Sequence, residues 1–213
     1  MFARLLSAAA LIAVASPALA VTVVSNSPGA PDPGPPAGLT TVADFTNPLA
    51  PGVTNTTTGS VFTGTGSVGG QYASPAGNLG DYQAVLGNAT STFTFANALG
   101  KFSLYWGSID TYNTLEFLRA NGTVMGTFTG LNFPPHDGNQ PSNLTNRRIT
   151  FGFTGAEAVK QVRFSSSQNA FEYDTLAAAG IPEPSTWAMM ILGFGLIGGA
   201  VRRRRPKVTL AFA

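Results

Sequence analysis

Ser91-Thr92-Phe93-Thr94-Phe95-Ala96 alternates polar and apolar side chains residue by residue, and Ile149-Thr150-Phe151-Gly152-Phe153 repeats the pattern. A period of two places one set of side chains on a buried face and the other toward solvent, which is the signature of a half-buried strand. Working outward, the runs Ser60–Thr65, Ser91–Ala96, Lys101–Trp106, Asn113–Arg119, Thr123–Thr129, Arg148–Thr154, Val159–Ser165 and Ala170–Leu176 read as strands separated by turn residues. Asn121-Gly122 between two of them predicts a type I′ hairpin. Short strands with regular turn signals predict a mainly β body, a single antiparallel β-sandwich of jelly-roll-like form.

Residues 21–58 are rich in Pro, Gly, Thr and Asn, with Pro28, Pro31, Pro33, Pro35 and Pro36 clustered. They predict an extended arm, with a short strand over Leu39–Phe45, because proline at that density interrupts regular structure. The sandwich is expected over residues 59–180, with a single helical turn at Gly155-Ala156-Glu157-Ala158 and a long loop from Gly130 to Asn146. Loops of that length often carry function.

The 213-residue chain has no cysteine and one histidine, His136. Disulfides, thiolate nucleophiles and multi-histidine metal sites are thereby excluded. The formal charge is +2 and the pI about 9.2, but the bases are unevenly placed. Residues 21–181 hold six basic against nine acidic residues, a net charge of about −3. The basic excess sits in Arg202, Arg203, Arg204, Arg205 and Lys207, so no nucleic-acid partner is expected of the body.

The two ends read as processing segments. Arg4, the apolar run Leu5–Ala15, Pro17 and the triplet Ala18-Leu19-Ala20 predict a signal peptide over residues 1–20, a helix cleaved before Val21 at the Ala18/Ala20 site. At the other end Pro182-Glu183-Pro184 precedes Trp187-Ala188 and an apolar stretch over 187–201, followed by the four arginines. That stretch predicts a transmembrane helix of about 22 Å, short against a hydrocarbon core of about 30 Å. The arginines stay cytoplasmic by the positive-inside rule, and 206–213 form a cytoplasmic tail.

Pro-Glu-Pro, two residues, Trp-Ala, a Gly-Phe-Gly run and an arginine block, in that order over 181–205, resemble the PEPxxWA variety of PEP-CTERM sorting domain found typically in proteobacteria. The resemblance implies that exosortase, a membrane cysteine protease, recognises Pro182, Glu183 and Pro184 and cleaves nearby. It further implies export through the Sec translocon and signal peptidase, transient anchoring in the inner membrane, and release to the cell surface or extracellular polysaccharide matrix. Phe102–Asn113, with Trp106-Gly107-Ser108-Ile109-Asp110-Thr111-Tyr112-Asn113 at its end, and Phe171-Glu172-Tyr173-Asp174-Thr175 are similar to segments of exosortase-dependent surface proteins.

Candidate chemistry in the body is limited. Asp110, Tyr112 and Asn113 lie on a turn and read either as ligands for calcium or a sugar, with Trp106 as a stacking platform, or as turn chemistry beside a core tryptophan. Glu172 and Asp174 fall on one side of a strand. Two carboxylates there are bridged by a cation such as calcium, solvated, or paired with Arg163. His136 and Asp137 offer half of a catalytic pair without a nucleophile motif. Gly64, Gly66, Gly69 and Gly70 lack the ending of a phosphate loop. Asn55-Thr56-Thr57-Thr58 lacks the regular Thr-x-Thr ladder of a flat ice-binding face. The sequons at Asn55, Asn88, Asn121 and Asn143 matter only in a host that glycosylates them. The expectation is a non-enzymatic, exopolysaccharide-associated or structural surface protein with no cofactor. The alternative is a calcium-stabilised adhesin or carbohydrate-binding module, and a secreted hydrolase is the least favoured reading.

Overall fold

The computed structural model describes residues 21–155, 158–180 and 190–198. Twelve strands build it: β1 (Thr22–Pro28), β2 (Thr40–Ala43), β3 (Val53–Thr58), β4 (Val61–Gly64), β5 (Tyr82–Val85), β6 (Ala89–Phe95), β7 (Leu99–Gly107), β8 (Asn113–Arg119), β9 (Val124–Thr129), β10 (Arg147–Gly152), β11 (Val159–Ser166) and β12 (Phe171–Gly180). They form two antiparallel sheets. The seven-stranded sheet runs β1-β10-β7-β12-β5-β4, with β2 also paired to β12, and the five-stranded sheet runs β3-β6-β11-β8-β9. The expected antiparallel β-sandwich is therefore what forms.

Aromatic side chains from the two inner faces interdigitate between the sheets. Phe164 of β11 stacks on Tyr173 of β12 with ring centroids 3.9 Å apart, and Trp106 stacks on Phe171 at 4.4 Å. Phe93, Phe102, Phe117 and Phe151 close the same layer, all fully buried. Apolar area removed from water drives this assembly, and ring pairs add edge-to-face or stacked contacts to it.

Residues 21–58 do not form a free arm. β1 pairs with β10, β2 with β12, and β3 with β6; β2 is the short strand expected over Leu39–Phe45, whereas β1 and β3 form where extended linker is expected. The prolines fall between or at the ends of these strands, where a missing N–H costs no ladder bond. β5 was also absent from the expected set. All four of its residues are buried, so its sequence shows no alternation to read.

The turn at Asn121-Gly122 differs from the expected type I′. The N–H of Gly122 donates to the Arg119 carbonyl at 2.9 Å, Arg119 N–H donates to the Thr123 carbonyl, and Gly122 has φ of 83° while Asn121 has no positive φ. That is a turn centred on Ala120-Asn121 followed by a left-handed glycine, the three-residue hairpin with a bulge.

A threonine ladder does exist, across strands. On the solvent face of the five-stranded sheet, Thr54, Thr56 and Thr58 oppose Thr94, Thr92 and Thr90. The expected helical turn at 155–158 includes residues outside those described, as do the signal peptide with Ala18 and Ala20, and Pro182, Glu183, Pro184, Trp187, Ala188 and Arg202–Arg205. Of the expected transmembrane helix over 187–201, residues 190–198 are helical and almost wholly exposed. Nine residues extend only about 14 Å, and no helix among the described residues is long and apolar enough to cross a membrane.

Candidate functional site

The seven-stranded sheet is covered on its outer face by irregular chain, and that covering creates the site. Asn146, fully buried at the start of β10, pins three segments together. Its Oδ1 accepts N–H bonds from Ala76 at 2.9 Å and Ser108 at 3.2 Å, while its Nδ2 donates to the carbonyls of Gln140 and Ser142. The loop before β5 packs so closely on β7 that a Cβ on Gly107 would lie 2.8 Å from Pro75. Residue 107 must therefore be glycine for this loop to dock.

At one end of this layer a cleft of about 260 Å³ opens between the loop before β5, the β7–β8 turn, the loop before β10 and the β11–β12 turn. Tyr72, Asp110, Tyr112, Asp137, Asn169 and Glu172 line it, with Gln140 at the side. Glu172 forms the floor. Its Oε1 accepts the Ala73 N–H at 2.9 Å and its Oε2 accepts the Ser108 hydroxyl at 3.1 Å. Burial, the largest influence, pushes its pKa up to about 7 against the lowering effect of those bonds. Asp110 accepts the Tyr112 hydroxyl at 2.6 Å. Burial raises its pKa, the Tyr112 bond opposes that, and Asp137 nearby adds to the rise. Asp110 and Asp137 face each other through an isolated antiparallel bridge, with Gly138 so close that a Cβ there would fall 2.4 Å from Asp110 Oδ1.

The expected site residues divide. Asp110, Tyr112 and Glu172 do share the cleft. Trp106 does not serve as a platform: it is fully buried, stacked on Phe171, with its indole N–H directed at Asn113 Oδ1 at 3.4 Å. Asn113 is likewise no ligand group. It is fully buried, its Oδ1 accepts the Asp110 N–H at 3.0 Å, and its Nδ2 donates to the Ala170 carbonyl at 2.8 Å. Both residues hold the cleft wall from beneath.

Asp174 lies apart from the cleft. Its Oδ1 accepts the Thr175 N–H at 2.6 Å. Burial raises its pKa to about 6 against the bonds to Thr175, with Asp32 adding to the rise and Arg148 opposing it. Arg163 pairs with neither Glu172 nor Asp174 but with Glu116 at 2.7 Å. The pairing that matters near Asp174 is Arg148 with Asp32, side chains 2 % and 19 % exposed. Among the described residues no group of three or more His, Cys, Asp or Glu is placed to hold a metal ion. His136 is only half exposed, and its Nδ1 is enclosed without a hydrogen-bond partner.

Sequence reasoning missed Tyr72, Gln140 and Asn169 as site residues. Each lies in a loop with no periodicity, thirty or more positions from Asp110 for Tyr72 and Gln140 or on the far side of β11 for Asn169, and no local pattern connects them.

No curated protein matches the chain. One solved structure, titled "Solution structure, dynamics and binding studies of CtCBM11", is similar at 12% identity over 68% of this chain and 97% of that one, with a TM-score of 0.21, too low to carry an argument. A family model described as the PEP-CTERM protein-sorting motif matches residues 180–205. The chain thus carries a PEP-CTERM sorting motif that begins where the last strand of the sandwich ends.

Proposed function

We propose that this is an exported protein processed by exosortase, and that its sandwich associates with extracellular polysaccharide through the cleft of Asp110, Tyr112, Asp137, Asn169 and Glu172. The sorting motif supports the first part, since it implies exosortase as processing partner. One observation carries the second. The cleft brings carboxylate, amide and phenol groups from four separate loops to one concave surface with almost no apolar lining. Sugar hydroxyls, which donate and accept, suit such groups.

For this cleft we favour binding over hydrolysis. Glycoside hydrolysis needs one carboxyl free to protonate a leaving oxygen and a second free to attack or activate water. Glu172 has both oxygens engaged by Ala73 and Ser108, Asp110 is held by Tyr112, and Asp137 Oδ1 accepts the Asn139 N–H at 3.3 Å.

Titration of the purified protein with the exopolysaccharide of its own cells tests the binding. Saturable binding abolished by Asp137→Ala is expected, and equal binding by both proteins would overturn the assignment. Processing is read separately by mass spectrometry of protein recovered from a host with exosortase. Loss of Arg202–Arg205 is expected, and an intact arginine tail would sink it.

A further inference from the structure

The two sheets end differently at their margins. In the seven-stranded sheet β1 carries a register shift between Val23 and Ser25 and terminates on Pro28, and β4 at the other side is four residues long. Bulges, proline and short length are the devices that keep an edge from pairing with another strand. β3, at the margin of the five-stranded sheet, has none of them, although its first N–H, that of Val53, turns back to the Ala50 carbonyl at 3.1 Å. It runs six residues without charge or proline, in unbroken register with β6 from Val53↔Phe95 to Thr58↔Thr90. Thr54, Thr56, Thr57 and Thr58 are exposed.

The opposite margin, β9, is already blunted. Its register with β8 shifts between Phe117 and Leu118. Val21 packs so closely that a Cβ on Gly126 would lie 2.7 Å from it, and the Thr129 N–H is taken by Asn132 Oδ1 at 2.8 Å. Among the described residues β3 is therefore the long open edge, while the margins at β1, β4 and β9 are guarded and β2, paired only with β12, is four residues long.

We infer that β3 is an interaction surface for a second copy of this chain, pairing antiparallel with the partner's β3 about a two-fold axis normal to the sheet. A strand that runs against itself must tolerate its own side chains opposite. β3 does so, because it brings no like charges together and its outward threonines both donate and accept. The adjoining seam supplies the precedent: Thr54, Thr56 and Thr58 already oppose Thr94, Thr92 and Thr90 there, and the self-pair repeats the same threonine-to-threonine contact with Thr54 facing the partner's Thr58. A two-fold contact of this kind is self-complementary and closed. It leaves the cleft, built on the other sheet, free for ligand.

Sedimentation of the purified full chain, kept in detergent so that its apolar tail does not associate, tests the pairing. Wild type is expected to show a concentration-dependent monomer–dimer equilibrium. Thr56→Lys sets two ammonium groups against each other across the axis and is expected to weaken the dimer at least about tenfold, which corresponds to about 1.4 kcal/mol. Thr127→Lys on β9 adds the same charge at the guarded edge and is expected to leave the dimer unchanged. Hydrogen exchange on the wild type gives an independent reading: the edge-facing amides of Asn55 and Thr57 should slow as concentration rises, while those of Thr54, Thr56 and Thr58, paired with β6, should not. A monomer whose β3 amides exchange at one rate throughout would overturn the pairing. So would a dimer indifferent to Thr56→Lys, or one weakened equally by Thr127→Lys.

Discussion

In the five-stranded sheet burial follows the pleat: β6 is buried at Ala89, Ser91, Phe93 and Phe95 and half-exposed at the threonines between them. In the seven-stranded sheet it does not, because β12 is buried at Phe171, Glu172, Tyr173 and Asp174 alike. Phe171 and Tyr173 enter the aromatic layer, while Glu172 and Asp174 lie beneath the irregular segments on the other side. A sheet covered by a second sheet on one face and by loops on the other must bury polar groups under the loops, since the loops themselves bring unpaired backbone. Arg148, Asn146, Ser108 and Glu172 are those groups. The ligand cleft belongs to this second, polar interior, whereas the five-stranded sheet turns its outer face to water.

The sharpest division between the two interiors falls at Trp106 and its neighbours. Trp106→Ala removes the largest fully buried side chain from between the sheets, and a loss of about 3–5 kcal/mol in unfolding free energy is expected from denaturant titration. A ligand platform would instead show weakened binding with nearly unchanged stability. On the polar side, Asp32→Asn leaves the buried Arg148 guanidinium with its bond to the Thr175 carbonyl but without its counter-charge. A loss of about 3 kcal/mol is expected, mostly the penalty of an uncompensated buried charge. A much smaller change would mean that water reaches Arg148 and that this interior is open.

Glu172 separates the interiors by pH. Its pKa is about 7 in the folded chain against 4.5 as the ordinary value, and Asp174 is raised to about 6 from 3.8. A raised carboxyl holds its proton longer when folded, so the native state binds more protons than the unfolded one between the two values. Stability is then highest at acid pH and falls as pH rises from about 4 to about 7. For Glu172 the drop is at most about 3 kcal/mol. Glu172→Gln, which keeps an acceptor for the Ala73 N–H, is expected to flatten that slope and to be the more stable protein at pH 8. An unchanged slope in the variant would place the titration elsewhere.

The same contrast governs how much could be read in advance. β6, β8 and β11 alternate, and their sequence ranges emerge from period two alone because water marks one face. β5 and the carboxylates of β12 belong to a sheet buried on both sides, where alternation carries no information about exposure. Hence Glu172 and Asp174 were legible as sharing one side of a strand, but not as buried under loops. Asp110 and Tyr112 were legible as a turn with oxygen-bearing side chains. Their convergence with Asp137 and Asn169 depends on where four loops land, which no local pattern encodes. Proline clustering misled over 21–58 because proline excludes the strand interior but not the gaps between strands.

The smallest expected effect tests the exposed side of the comparison. Arg163 and Glu116 sit in neighbouring strands on the open face of the five-stranded sheet, directly opposite in register and joined by bonds of 2.7 and 2.8 Å. Their geometry is at least as good as that of many buried pairs, yet the Arg163 side chain is 37 % exposed, so solvent and salt screen the attraction and little desolvation is suffered on breaking it. Glu116→Gln is therefore expected to cost about 0.2–1 kcal/mol, less still at high salt. Asp32→Asn should keep its larger effect at any ionic strength, because its partner is shielded from counter-ions. If the two substitutions cost the same, or if both lose their effect in salt, the seven-stranded sheet's outer face is as wet as the other and the polar interior is not an interior at all.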